Sequence, residues 1–341
     1  MDVSSRAGAT ILVALGGLCL ATGLALFAPL GWPFELFAHF RLQYAAAGLL
    51  LAILLLGLRR PGPAALSALV AVFHALPTLQ ATVAGEPVLA CGRTSFTVAT
   101  ANLLYRNRDR SGFTDWLASQ PADLIVVQEV SPEWAGALAG QTGYPYRKLF
   151  ARSDAYGIGV LSRWPLLEVS ARDLAGDGLP SLYGRIAVGG REIRFIGLHA
   201  RWPVLPQLAK QRDASLRAAA ELACADSSPV VALGDLNLTP YSPEFAAFLR
   251  ASGLRDAMHG GLWQPTWQAG FWPLALRIDH VLVSPGLCVE HAEVGPDIGS
   301  DHRPVIARLG IAAGHLEPGA AAVIPAPASP RLAAGTRGSS R

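Results

Sequence analysis

Charge is what this sequence has least of. Asp, Glu, Lys and Arg make up 16% of its 341 residues, against roughly 25% in ordinary soluble domains, while hydrophobic residues reach 51%. That imbalance excludes a disordered chain and points to a part that meets lipid. A strong charge of one sign is missing as well, the formal net charge being +3. Residues 94–312 hold 20 Lys/Arg against 21 Asp/Glu, so the excess sits in the flanks and gives little support to a nucleic-acid partner. Cysteine is sparse: Cys19, Cys91, Cys224 and Cys288 form neither a zinc knuckle nor a Cys-x-x-Cys redox site. Their expected role is structural or incidental, with room for one disulfide among the last three.

The apolar excess lies before residue 90. Three uncharged stretches follow one another over residues 7–34, 42–58 and 61–85, the middle one flanked by Arg41 and by Arg59-Arg60. A helix needs roughly 20 apolar residues to cross a bilayer core. The first and third runs are long enough, and the second, at 17 residues, is at the short limit. Backbone amides cannot go unpaired in hydrocarbon, so the runs should be helices. Trp32, Phe34, Phe37, Phe40 and Tyr44 cluster at the first connection, as an interfacial belt would. A signal peptide is shorter and is not followed by further apolar segments, and helices of a soluble bundle carry a polar stripe that these lack. Residues 1–90 therefore read as a multi-pass anchor of three transmembrane helices. Placing Arg6 and Arg59-Arg60 inside leaves Arg41 and Arg93 outside, a three-to-two balance that puts the rest of the chain on the outer, extracytoplasmic face.

From residue 95 the texture changes to short apolar runs between turn residues. FTVATAN and DLIVVQE read as buried strands, with Ser111 able to cap a short helix between them. SLYGRIAV and REIRFIGLHA flank Gly189-Gly190, a hairpin signal. Residues 206–225 carry Leu208, Leu216, Ala219 and Leu222 at helical spacing. PVVALGDLN is a further strand with a helix after it, and RIDHVLVS and HRPVIARL close the block as strands. Hairpins mixed with crossovers argue for an α/β domain with antiparallel pairing. Residues 313–341, rich in Pro, Ala, Gly and Ser, read as a disordered tail.

The chemistry-bearing residues collect at strand ends. Apolar runs terminate in Asn102, Glu129, His199, Asp235 with Asn237, and Asp279, and Asp301-His302 precedes the last strand. A single strand-end Asp is most often a turn former. Seven or eight such residues, each after a buried strand, should converge on one rim if the strands share a sheet. Glu129, Asp301 and Asn102 are hard oxygen donors of the kind that suit Mg2+ or Mn2+. Asp235 and Asn237 fall on one side of an extended strand, and Asp279 can orient the His302 imidazole. The set fits attack of water on phosphorus. His280 reads as a strand neighbour of Asp279 without a role.

The motifs TANLLYRN, VVQEV, GLHARWP, GDLNLTP, RIDHVLVS and SDHRPVIARL resemble, in this order, those of the endonuclease/exonuclease/phosphatase superfamily, and the apolar region before them resembles its membrane-anchored bacterial branch. The resemblance covers residues 94 to about 310. It implies a DNase I-like fold, a sandwich of two mixed β-sheets flanked by helices, over a catalytic domain at 94–312. It further implies Mg2+-dependent phosphoester hydrolysis with Glu129 as main metal ligand and Asn102 and Asp301 nearby. Asp235 would activate the water, Asn237 and His199 would contact the phosphate, and His302, paired with Asp279, would stabilise the transition state. The Leu-His-Ala triplet at His199 and the missing Asn in GIGVLSR depart from the family pattern on the substrate side.

The expected function is thus a membrane-anchored phosphodiesterase whose substrate is a lipid head group, a nucleic acid or a small diester. No protein partner is inferred. The alternative is a catalytically silent, membrane-tethered binding or scaffold domain of the same fold. Decay of that kind would leave a trace in a lost ligand, and every expected site position carries a competent side chain.

Overall fold

Beyond residue 90 the short apolar runs pair into two six-stranded sheets. The computed structural model describes residues 3–84, 91–119, 122–258, 264–268 and 270–312; the tail expected to be disordered lies outside them. In the first sheet, β1 (Cys91–Asn102) runs parallel to β2 (Leu124–Gln128) and antiparallel to β12 (Val305–Ala312). β3 (Tyr146–Phe150), β4 (Ile158–Ser162) and β11 (Leu287–Val294) complete the order β11-β12-β1-β2-β4-β3. In the second, β7 (Arg191–His199) runs parallel to β8 (Val230–Asp235). It is completed by β5 (Leu166–Asp173), β6 (Pro180–Val188), β9 (Arg255–Asp256) and β10 (Asp279–Val283), in the order β5-β6-β7-β8-β10-β9.

Side-chain alternation assigns each face. In β1, Phe96 and Val98 join the core between the sheets, with Val126, Phe195, Val231 and Val281. Ala99 and Ala101 point the other way, toward α5 (Ser111–Ser119) and α6 (Pro132–Ala139), where Phe113, Trp116 and Trp134 are buried. The outer face of the second sheet is covered by α7 (Pro206–Ala223) and α8 (Pro243–Ser252) through Leu216, Ala219, Phe245 and Phe248. The sheets touch closely: a Cβ on Gly197 would lie 2.9 Å from Val126 Cγ1. Ser131 and Ser242 cap α6 and α8 by accepting backbone N–H bonds. Ser111 does not cap α5 but begins it, with Asp109 Oδ1 accepting its N–H at 3.0 Å. Cys91 and Cys288 form a disulfide that closes 197 residues, while Cys19 and Cys224 are free thiols.

The N-terminal runs form helices α1 (Val3–Leu26), α3 (Arg41–Gly57) and α4 (Pro61–Ala84), with the single turn α2 (Glu35–Ala38) in the first connection. Two of them, over Arg6–Leu26 and Pro61–Gln80, are long and apolar enough to cross a membrane, and Arg41–Gly57 is a shorter apolar helix. They pack through small residues: Ser67 Oγ donates to Gly48 O at 2.7 Å, and Thr22 Oγ1 lies 3.0 Å from His74 Nε2. Outward, Val13, Leu20, Ile53 and Leu69 are 59–76% exposed.

The helices are docked on the sandwich by polar contacts at one end of the bundle. Arg212 of α7 and Glu35 of α2, both fully buried, pair at 2.6 Å. Ser242 Oγ donates to the second Glu35 oxygen at 2.5 Å. Gln43 Nε2 donates to Ala275 O at 2.8 Å, and Thr78 Oγ1 donates to Tyr241 Oη at 3.1 Å.

Candidate active site

Register brings the strand-end residues together. In the second sheet His199 pairs with Asp235, and Asp235 with Asp279, so three neighbouring strands present them side by side. In the first sheet Asn102 pairs with Gln128, and Glu129 follows directly. β12, antiparallel to β1, delivers Asp301-His302 just before its start. One cleft of about 270 Å3 is lined by Glu129, His199, Asp235, Asn237, Asp301 and His302. The backbone is shaped for this meeting: a Cβ on Gly234 would come within 1.9 Å of Leu198 O, so the residue before Asp235 has to be glycine.

Each acidic side chain has a specific holder. Glu129 accepts from Asn102 Nδ2 at 3.1 Å and from the Tyr105 N–H at 2.9 Å. Asn102 Nδ2 also reaches Asp235 Oδ2 at 3.3 Å, while its Oδ1 accepts the Leu104 N–H at 3.1 Å. The Asn102 amide is therefore fixed, and one lone pair of its oxygen remains. Asp235 Oδ1 accepts the Asn237 N–H at 2.9 Å. Its Oδ2 lies 3.7 Å from His199 Nε2 and 3.8 Å from His302 Nε2. The Asn237 side chain donates to Ala200 O at 2.9 Å, which leaves one amide hydrogen for other use. His302 Nδ1 lies 2.8 Å from Asp279 Oδ2, and the Asp279 N–H donates to Thr266 Oγ1 at 3.1 Å. Trp267 Nε1 donates to Asp301 Oδ2 at 3.2 Å.

Electrostatics divide the two imidazoles. Burial, and then the His302 charge, push His199 down to about 4. Burial works against a charge on His302 too, but Asp279, Asp235 and Asp301 together overcome it and raise the ring to about 10. Asp235 is pushed up to about 8 by burial and by Asp279 beside it, and burial also raises Glu129. Four carboxyl groups thus crowd around one imidazolium, and Asp301 Oδ1 is buried without a hydrogen-bond partner among the described residues. That deficit of positive charge suits a hard divalent cation. Asp235, Asp279 and His302 also bring one ligand atom each within 4.8 Å. His302, however, is engaged with Asp279 and carries protons on both nitrogens when charged, so that trio reads as a proton-holding group. Glu129 and Asp301, with Asn102 beside them, fit the cation better.

Sequence reasoning did not single out every residue of the cleft. Tyr156, whose ring lies 5.2 Å from that of His199, and Trp267 lack any motif signal, while Trp202 lies in the GLHARWP motif without having been given a role. His39 comes from the connection between α1 and α3 and lines the same cleft; an ionisable residue in an otherwise apolar region was the available signal. His280, as expected, is structural: it is fully buried, with Nε2 2.8 Å from Leu238 O.

The model of the Endonuclease/Exonuclease/phosphatase family matches residues 99–302, more than half of the chain. No curated protein matches the sequence. Among solved structures, D. rerio TDP2 complexed with single strand DNA product aligns with TM-score 0.54 at 17% identity, over 63% of this chain and 99% of that one. The Neisseria 3' phosphatase NExo bound to product DNA hairpin aligns with TM-score 0.53 at 22% identity, over 62% and 98%. The Bacteroides thetaiotaomicron mannosyl-6-phosphatase aligns with TM-score 0.51 at 20% identity, over 63% and 99%. Likeness at these identities establishes the two-sheet, DNase I-like fold.

Proposed function

Because the chain belongs to the endonuclease/exonuclease/phosphatase family, whose members are phosphoester hydrolases, we propose that it is a membrane-anchored, Mg2+-dependent phosphodiesterase, with Mn2+ able to substitute. The observation that carries this reading is the convergence of Glu129, Asp235, Asp279, Asp301 and His302 at one rim, with buried negative charge in excess. Glu129 and Asp301, with the Asn102 oxygen, would hold the cation, which when bound supplies charge neutralisation to the phosphate. Asp235, its Oδ1 fixed by the Asn237 N–H, orients the attacking water and takes its proton; a carboxylate raised toward neutrality is a better base than an ordinary one. His302, kept protonated by Asp279, donates from Nε2 to the phosphorane-like transition state. Neutral His199 and the free amide hydrogen of Asn237 contact the phosphate from the other side.

Three crossings, by the two long apolar helices and the shorter Arg41–Gly57, are part of the same proposal. Outward apolar faces on α1, α3 and α4 are what lipid-facing helices require. Antiparallel packing of three helices also brings the end of α1, the start of α3 and the end of α4 to the side where the sandwich docks. The Cys91–Cys288 disulfide favours an oxidising, extracytoplasmic location for the sandwich. The test is hydrolysis of bis(p-nitrophenyl) phosphate by the full-length protein in detergent. Activity should vanish with EDTA and return with Mg2+ or Mn2+. No turnover with either ion on diesters or monoesters would overturn the reading in favour of the silent scaffold.

A further inference from the structure

The cleft has one wall that the sandwich does not supply. His39, carried by the connection between α1 and α3, lines it beside Glu129, Asp235 and His302. Its Nδ1 lies 2.9 Å from Thr239 Oγ1 and receives the Thr239 backbone N–H at 3.4 Å. A backbone amide only donates, so Nδ1 is an acceptor and the neutral ring carries its proton on Nε2. Burial, followed by Arg212, holds the ring down to about 3, which keeps it neutral. Nε2 is buried and has no hydrogen-bond partner among the described residues. An unmatched buried donor is costly, and a ligand oxygen in the cleft would satisfy it.

Three observations say what kind of ligand. First, among the described residues no Lys or Arg lines the cleft. Arg152 and Arg201, on loops beside it, are neutralised by Asp154 at 2.7 Å and Asp177 at 2.8 Å. Inside the cleft a polyanion finds no row of cations, which phosphate-backbone binding requires; Arg106, Arg108 and Arg110 fall outside its lining. Second, the segments that supply Trp202 and Leu276 to the cleft carry exposed apolar side chains. Trp202, Val204 and Leu205 after β7, and Phe271, Trp272 and Leu274 before β10, are 42–57% exposed. Third, the second of these segments is fastened to the anchor, because the Ala275 carbonyl accepts from Gln43 in the first turn of α3. A helix that starts to cross the bilayer at Arg41 puts this aromatic rim at the interface, where Trp and Phe partition.

We infer that the cleft and the anchor make one composite site for a phosphodiester carried by a membrane lipid, with His39 Nε2 donating to a head-group oxygen that the soluble aryl diester lacks and the aromatic rim resting in the interface. The inference rests on the hydrolase reading above. The water oxygen bonds to phosphorus, one ester P–O bond breaks, and the departing alcohol oxygen takes a proton, leaving a phosphate monoester. Anchoring holds the enzyme in the layer that contains its substrate, which raises the effective concentration without new contacts.

The test compares kcat/KM of the full-length protein, with Mg2+ or Mn2+, on phosphatidylglycerol in phosphatidylcholine vesicles and on soluble bis(p-nitrophenyl) phosphate. The wild type should consume the lipid. His39→Ala should lower the ratio of lipid to soluble rate about tenfold, the worth of one hydrogen bond, and His39→Gln, which keeps an N–H donor, should recover part of it. A purely structural His39 would depress both substrates alike and leave the ratio unmoved. Should His39→Ala not fold, the double variant Phe271→Ser/Trp272→Ser, on the exposed rim, reads the same ratio. Cleavage of the soluble diester with intact lipid, faster cleavage of a single-stranded oligonucleotide than of lipid, or an unmoved ratio overturns the inference and leaves the hydrolase standing. Turnover of neither diester overturns both.

Discussion

Two side chains of the cleft sit on backbone that few residues adopt: Glu129 at φ 60° and Asn237 at φ 49°. Asn tolerates this left-handed region, but for Glu it costs roughly 1–2 kcal/mol, a strain that persists where surrounding structure and function require the position. Glu129→Gln should therefore fold normally and weaken metal dependence, lowering kcat on the order of 10² to 10⁴; wild-type turnover in a metal titration would remove Glu129 from the metal site. Asp235→Asn and His302→Ala should each cost as much, and the double variant little more, because the two lie 3.8 Å apart and act on the phosphate as one unit. Additive losses would separate them. A different histidine gives a pH prediction. Burial holds His280 down to about 4, against Asp256, which favours its charge. The unfolded chain takes up that proton near pH 6.5 and the folded chain resists, so this stability is complete above 6.5 and is lost as pH falls toward 4. The loss is on the order of 2–3 kcal/mol. Thermal unfolding followed from pH 7 to 4 should show the decline, and His280→Gln should flatten it; an unchanged slope would mean another group is responsible. Most of the residues that converge on the cleft were legible in the sequence because they end apolar runs, as Glu129 ends VVQ and Asp235 ends VVALG, or, like Asp301-His302, directly precede one. His39 and Trp267 were not: the one local signal at His39, an ionisable group in an apolar region, does not name a partner 200 positions away, and Trp267 stands in no motif.

Elements repeat this division between local and distant signals. Strands buried on both faces, such as LIVVQ and VVALGD, announce themselves by continuous hydrophobicity. β3, β5 and β11 are half-exposed peripheral strands (YRKLF, LLEVSARD, LCVEHAEV), whose mixed composition gave no signal before pairing was known. The interface of α2 with α7 and α8 was equally hidden. Glu35 looked like one of a few acids in an apolar region, yet it is buried between Arg212 and Ser242. A buried charge that loses its partner is far more costly than the pair was worth. Arg212→Met should thus destabilise the protein by about 3–5 kcal/mol, read as a lowered unfolding temperature in detergent. Adding Glu35→Leu should restore most of the loss, since the one partner of Arg212 then left without its cation, Asp213 at 2.7 Å, reaches solvent. A single variant with wild-type stability would show that the junction between helices and sandwich is wet.

For the whole molecule, the contacts at Glu35, His39, Gln43 and Thr78 turn what the sequence divides into an anchor at 1–90 and a domain at 94–312 into one packed body. Orientation then follows for both parts together. If α1, α3 and α4 cross the bilayer and the N-terminus is inside, the sandwich is outside. The sequence supports this only by a three-to-two count of basic residues, but the structure adds a disulfide between strands far apart in the chain, a bond that survives in oxidising compartments. The free thiols make the orientation measurable. Cys224, at the end of α7, is exposed, whereas Cys19 is half-buried among the helices. A membrane-impermeant maleimide applied to intact cells should label the protein at Cys224 and lose that labelling in Cys224→Ser. Labelling that appears only after the membrane is permeabilised would put the sandwich in the cytoplasm. The Cys91–Cys288 pair reports independently: alkylation under denaturing conditions without reductant should leave both sulfurs unmodified. Free thiols at 91 and 288 in freshly lysed cells, together with a protected Cys224, would reverse the orientation and leave the lipid substrate to be sought in the inner leaflet.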